Sequence, residues 1–138
     1  MYIAGKDISS EGSIDVTDPF TNDVVAQVPA ATQDQVAEAF SLSANYNAKL
    51  SRYERQQILQ KISELLVKNK EELSDIITNE LGICKQDSLY EVGRAFDVFS
   101  LTSQLVIHDD GEIFSCDLTP HGKARKIFTH REPLNTIS

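Results

Sequence analysis

Few side chains in this sequence are placed to do chemistry, and the best placed is Arg94. It lies in SLYEVGRAFDVFSLTSQLVI, residues 88–107, whose apolar residues recur at helical spacing. At about 100° per residue, Leu89, Val92, Ala95, Phe96, Phe99 and Val106 share one face. Val98, Leu101 and Leu105 form a second apolar stripe almost opposite, and Arg94 falls inside it. A guanidinium there must snorkel to water, pair with a carboxylate or receive an anion. Gly93 beside it weakens the helix by roughly 1 kcal/mol relative to alanine, which a close approach of another backbone or a ligand would offset.

The other reactive groups offer less. His108, His121 and His130 have no metal-ligand spacing and fall in expected turns or exposed strands. Asp109, Asp110 and Glu112 could touch a divalent cation, but by default they read as a solvated acidic turn. Cys84 and Cys116 also lack metal-ligand spacing, and neither is flanked by groups that would depress a thiol pKa. They read as reduced thiols, which places the protein in the cytoplasm. The 6 glycines are scattered, so no glycine-rich phosphate loop is present.

These groups must be positioned by one ordinary core, because 138 residues with 41% hydrophobic content do not supply two. The net charge of −8 argues against nucleic acid or an anionic membrane as partner. Charge is uneven, however: residues 121–138 hold 4 Lys/Arg against 1 Asp/Glu, whereas residues 1–120 are acidic. A basic C-terminal segment on an acidic body suggests that the two meet, within one molecule or between two. No apolar run is long enough for a membrane span, and the N-terminus lacks the pattern of a signal peptide.

Periodicity and turn chemistry place strands at 2–8 (a pair around Ala4-Gly5-Lys6), 13–17 and 24–28, the last ended by Pro29. Capping boxes at Thr32/Gln35, Ser51/Glu54 and Ser88/Glu91 start helices. The expected helices cover 32–45, 51–69, 70–82 and 86–107, with a loop at 45–50 and Gly82 as a left-handed stop. On the second helix, Ile58, Ile62, Leu65 and Leu66 are expected to face inward. The two apolar stripes of 88–107 predict a central helix packed on both sides. Residues 112–132 read as a long hairpin, weakly apolar on both faces, that packs against another surface or a second copy. Residues 133–138 read as the beginning of a further strand.

The order of short motifs resembles the opening of NAD(P)-dependent aldehyde dehydrogenases. The resemblance rests on Tyr2-Ile3-Ala4-Gly5-Lys6, Val16-Thr17-Asp18-Pro19-Phe20-Thr21 and Val25-Ala26-Gln27-Val28-Pro29. It continues through Arg52-Tyr53-Glu54-Arg55, Glu80-Leu81-Gly82, Glu91-Val92-Gly93-Arg94-Ala95 and Phe128-Thr129-His130-Arg131-Glu132-Pro133-Leu134. The stretch Leu118-Thr119-Pro120-His121-Gly122-Lys123 is most similar to branches that oxidise phosphonoacetaldehyde, lactaldehyde or glyceraldehyde 3-phosphate.

The resemblance implies an α/β fold: a short β-meander, a four-helix middle and a long hairpin, stopping at the threshold of a doubly wound nucleotide-binding sheet. Residues 1–111 would be the first part of the nucleotide-binding domain. Residues 112–132 would be an oligomerisation hairpin that joins copies of the chain, and 133–138 the start of the next strand. The implied parent activity is oxidation of an aldehyde to a carboxylic acid with NAD or NADP, through a cysteine thioester. The family's nucleophile, general base and oxyanion donor fall beyond Ser138, so this chain alone is expected to hold no cofactor and no activity. Arg94 matches a position at which branches with anionic substrates carry an arginine, and arginine binds carboxylate and phosphate bidentately. Val16, Thr17 and Glu80 match a monovalent-cation site of some members, with Glu80 one methylene longer than their aspartate. The alternative is a stand-alone binding or oligomerisation module.

Overall fold

Reciprocal side-chain hydrogen bonds dictate two of the helix starts. Thr32 Oγ1 accepts from the amide of Gln35, while Gln35 Oε1 accepts from the amide of Thr32, and α1 runs over Gln33–Asn45. Ser51 and Glu54 do the same for α2, Arg52–Lys68. The structure is a computed structural model, and it describes all residues except 48, 109, 133, 135 and 138. Ala48 of the expected 45–50 loop and Asp109 of the acidic turn therefore lie outside the described residues.

Glu54 accepts from both the amide and the hydroxyl of Ser51, which holds its carboxyl below the ordinary value of 4.5. A folded pKa below the unfolded one gives stabilisation that is complete above 4.5 and lost as pH falls through the folded value. Acid titration should therefore fray the start of α2. Glu54→Gln would copy the uncharged cap of α1 and remove that pH dependence. Helicity followed by circular dichroism from pH 6 downward checks this.

The N-terminal segment forms two ribbons. Strand β1 (Tyr2–Ile3) pairs antiparallel with β2 (Lys6–Asp7), with Ala4 and Gly5 both at positive φ in the turn. Strand β3 (Gly12–Thr17) pairs with β4 (Val24–Ala30), with an irregularity between Val16 and Thr17. Pro29 does not end β4 as expected, but sits opposite Ser13 inside the ladder. In a two-stranded ribbon every strand is an edge, so a missing N–H can face away from the partner. In the turn between them, Asp18 Oδ1 accepts from the amides of Phe20 and Thr21, and Asn22 takes φ 63°.

Helix α3 spans Lys70–Leu81 and stops at Gly82, in the left-handed region at φ 67°. A Cβ at Gly82 would lie 2.6 Å from Cγ of Pro19, so this residue also lets the β3–β4 turn rest on the end of α3. Gly82→Ala should cost about 1–3 kcal/mol through the strained backbone and that clash. A lowered urea midpoint at unchanged slope would show it.

Helix α4 runs over Lys85–Leu105 and packs on both α2 and α3, followed by a 3-10 turn at Val106–His108. It starts one turn earlier than the Ser88/Glu91 pattern indicated. Cys84 is the N-cap and makes no side-chain cap bond, while Ser88 is fully buried. Its hydroxyl is drawn into contacts with α3, so the expected capping box does not form.

Only the first stripe of α4 faces inward: Val92 is 4% exposed, and Leu89, Ala95, Phe96, Phe99 and Val106 are half-buried. The expectation that both stripes are packed fails within this chain, since Val98 and Leu101 are each 60% exposed. The inner face of α2 is likewise rotated. Leu59, Ile62, Ser63 and Leu66 are covered, but Ile58 and Leu65 are exposed.

Val92 is the one buried large hydrophobic among the described residues. Around it, α4 approaches its neighbours across buried serines, Ser63 on α2, Ser74 on α3, and Ser88 and Ser103 on α4. Small side chains permit close helix contact, and each hydroxyl is satisfied. Ser63 donates to the carbonyl of Gln60 and Ser103 to that of Ser100.

The C-terminal hairpin is shorter than the expected 112–132 ribbon. Strand β5 (Ile113–Ser115) pairs with β6 (Lys126–Phe128), and a 3-10 turn at Pro120–Gly122 occupies part of the span between them. Gly111 and Gly122 seat their backbones against the carbonyls of Thr129 and Cys116, leaving no room for a Cβ at either place. Both strands are exposed throughout. Of the expected terminal strand, Leu134, Thr136 and Ile137 are in no strand, and Pro133, Asn135 and Ser138 lie outside the described residues. All three ribbons are antiparallel.

Candidate functional site

The orientation of α4 is set at its first turn. Gly82 reverses the chain, so only three residues separate α3 from α4. Lys85 then reaches back to α3, with Nζ 2.6 Å from Asp75 Oδ1 and 3.3 Å from Glu71 Oε2. Its ammonium pKa is raised, chiefly by the bond to Asp75. One turn on, Ser88 Oγ lies 2.6 Å from Ser74 Oγ and accepts from Thr78 Oγ1 at 2.9 Å. It donates to the carbonyl of Lys85, also at 2.9 Å. One donor and two acceptor sites exhaust a hydroxyl, so Ser74 is the donor of its pair and Ser88 is fully satisfied.

With that face pinned inward, Tyr90, Arg94, Asp97, Val98, Leu101 and Leu105 turn outward. Arg94 is exposed, and its guanidinium carbon lies 6.0 Å from the centroid of the Tyr90 ring, one turn earlier. Among the described residues no carboxylate lies within ion-pair distance of Arg94, Glu91 included. Of the three fates open to this guanidinium, pairing with a carboxylate among the described residues is therefore not the one realised. Gly93 has no atom within 4 Å of where a Cβ would sit, so among the described residues the expected close approach of another backbone is absent and open space lies at Gly93. The Tyr90 contact is not among the sequence expectations, although its i, i+4 spacing to Arg94 is a legible signal. The Ser74–Thr78–Ser88 cluster carries no such signal, because its two halves lie on different helices.

The Val16, Thr17 and Glu80 set is brought only into the same region. Thr17 ends β3, Glu80 is exposed near the end of α3, and the Pro19–Gly82 contact joins these two elements. No group of three or more His, Cys, Asp or Glu side chains is gathered among the described residues, so a cation there would need backbone or hydroxyl oxygens. His108, His121 and His130 are exposed, Cys84 is exposed and Cys116 half-buried, and both thiols are free.

A cavity of about 250 Å³ lies between the β1–β2 turn and α1, lined by Tyr2, Ile3, Ala4, Ala39, Leu42, Ser43 and Tyr46. It offers neither a cationic side chain nor a glycine-rich loop for a pyrophosphate, so its lining does not fit a dinucleotide. No helix among the described residues is long and apolar enough to cross a membrane.

Comparison with known proteins places this geometry. The 3-sulfolactaldehyde dehydrogenase of Priestia aryabhattai is 25% identical over 139 residues, covering 100% of this chain but 29% of that protein. The crystal structure of aldehyde dehydrogenase 21 from Physcomitrella patens, in complex with the reaction product succinate, superposes with a TM-score of 0.82 at 29% identity. That match covers 91% of this chain and 27% of the other. The glyceraldehyde-3-phosphate dehydrogenase GapN of Methanocaldococcus jannaschii, complexed with NADP, gives 0.70 at 26% identity, over 73% of this chain and 23% of the other. The chain thus spans under a third of the length of these relatives. The model of the aldehyde dehydrogenase family matches residues 7–138, and with four helices and antiparallel ribbons arranged as in its solved members, the chain belongs to that family.

Proposed function

We propose that this chain is the N-terminal part of an NAD(P)-dependent enzyme that oxidises an aldehyde bearing an anionic group, and that Arg94 binds that group. The observation that carries the reading is an exposed guanidinium in the apolar Val98, Leu101 and Leu105 stripe of α4, ion-paired with no carboxylate among the described residues. The relatives' names support it. Sulfolactaldehyde carries a sulfonate, succinate a carboxylate and glyceraldehyde 3-phosphate a phosphate. All three anions suit the planar fork of an arginine.

The chemistry of such an enzyme is attack of a thiolate on the aldehyde, hydride transfer to the nicotinamide and hydrolysis of the thioester. The residues that perform it are proposed to lie outside residues 1–138, and neither Cys84 nor Cys116 is assigned to it. This chain's part is to bind and orient the far end of the substrate. The exposed hairpin, with Lys123, Arg125, Lys126 and Arg131 on an acidic chain, is proposed to join copies of the enzyme. Val16, Thr17 and Glu80 are proposed to border a monovalent-cation site, and the free thiols fit a cytoplasmic location.

The test is NAD(P)H formation, followed by absorbance, by the enzyme that carries this chain joined to its catalytic segment. Glyceraldehyde 3-phosphate or sulfolactaldehyde should be oxidised with a higher kcat/KM than propanal. A preference for the neutral aldehyde would reject the reading. The alternative of a non-catalytic module would gain if the chain functioned only by pairing with a separate full-length enzyme.

A further inference from the structure

We infer that Tyr90 is a positioning residue for Arg94, and so sets how strongly the site selects the anionic aldehyde. The inference rests on the proposed anion-binding role of Arg94. The guanidinium carbon lies over the Tyr90 ring at 6.0 Å, and the two residues are one turn apart on the outer face of a helix whose inner face is pinned. How an arginine is held decides what it has left to offer. A carboxylate partner consumes two N–H donors of the fork and neutralises its charge. A ring face consumes neither, since the attraction is between the cation and the aromatic quadrupole. Among the described residues, Arg94 has the ring and no carboxylate.

The surroundings add to this. The next residues along the stripe, Val98 and Leu101, carry no charge, and the outward Asp97 beside them makes no ion pair with Arg94. An unsupported arginine samples many rotamers, and ordering it is a cost taken from the binding of substrate. The Tyr90 ring removes part of that freedom beforehand. Its contribution should therefore appear with the anionic substrate and depend on the ring face, not on the phenol hydroxyl.

The experiment measures KM for glyceraldehyde 3-phosphate and for propanal in the whole enzyme carrying Tyr90→Leu, Tyr90→Phe, Arg94→Leu or the double variant Tyr90→Leu/Arg94→Leu. Tyr90→Leu should raise the ratio of the phosphorylated to the neutral KM about 2- to 5-fold, the scale of one exposed cation–π contact. Tyr90→Phe, which keeps the ring, should restore the ratio. In the Arg94→Leu background, Tyr90→Leu should change it no further. In parallel, the 15N-resolved Nε–Hε signal of Arg94 should carry a ring-current shift that Tyr90→Phe preserves and Tyr90→Leu abolishes. An unchanged ratio in Tyr90→Leu, a failure of Tyr90→Phe to restore it, or an equal rise of KM for both aldehydes would overturn the inference while leaving Arg94 as anion binder. If Arg94→Leu itself leaves the ratio unaltered, the anion-binding role falls first, and the role of Tyr90 in selection falls with it.

Discussion

Arg94→Leu is expected to lower kcat/KM for an anionic aldehyde by roughly 30- to 1,000-fold, the effect of losing a charge-assisted bidentate contact worth about 2–4 kcal/mol. The selectivity for that aldehyde over propanal should collapse by a similar factor. Stability should barely move. Arg94 is exposed and, among the described residues, its charge meets only the Tyr90 ring, so the fold loses about 0.5–1 kcal/mol at most. Leucine would also extend the Val98, Leu101 and Leu105 stripe, adding no polar group that needs a partner. A different outcome follows if, in the whole enzyme, a carboxylate from elsewhere meets this guanidinium. Removing the arginine would then strand that carboxylate, both aldehydes would suffer alike, and stability would fall by the several kcal/mol that a broken buried pair costs, lowering the melting temperature. Two substrates and one melting curve on a single variant separate the cases.

What could be read beforehand divides along physical lines. Thr32/Gln35 and Ser51/Glu54 announce helix starts because a capping box is closed by four consecutive residues and needs nothing else. The same is true of Gly82 as a stop. Ser88/Glu91 has the same pattern and misleads, since a hydroxyl is equally satisfied by Ser74 and Thr78 on a helix packed beside it. Local spacing cannot distinguish the two. Pro29 shows the complementary failure: its missing N–H forbids a central strand but is harmless in a two-stranded ribbon. The two apolar stripes of α4 are real as composition, but only one of them is packed within the chain. Periodicity reports which residues seek cover, whereas what covers Val98, Leu101 and Leu105 must come from elsewhere. Arg94 is legible as an oddity inside a stripe, and only the fold shows that its guanidinium lies over the Tyr90 ring.

The second large effect expected is on the 138-residue chain in isolation. Its accessible surface is 11,470 Å², whereas a folded monomer of its 15.4 kDa mass exposes about 7,200 Å². The excess is apolar in good part: Ile113 is 85% exposed and Phe128 76% on the hairpin, and the outer stripe of α4 is open along its length. Against this, Val92 is the one large hydrophobic buried among the described residues, and the serines at the helix contacts contribute little transfer free energy. Conformational entropy grows with every ordered residue, so a chain with so little burial cannot offset it across all four helices. The isolated chain should therefore keep helical circular dichroism, from well-capped α1 and α2, but unfold over a broad range with a small slope in urea. It should bind a hydrophobic dye such as ANS and sediment as concentration-dependent assemblies at tens of micromolar. It should show no saturable NAD binding by calorimetry, since its 6 glycines are scattered and form no glycine-rich phosphate loop. A sharp two-state transition from a monomer that ignores the dye would mean that these exposed faces are stable in water as they stand. The case for Arg94 receiving its ligand within a larger enclosing protein would then lose its energetic basis.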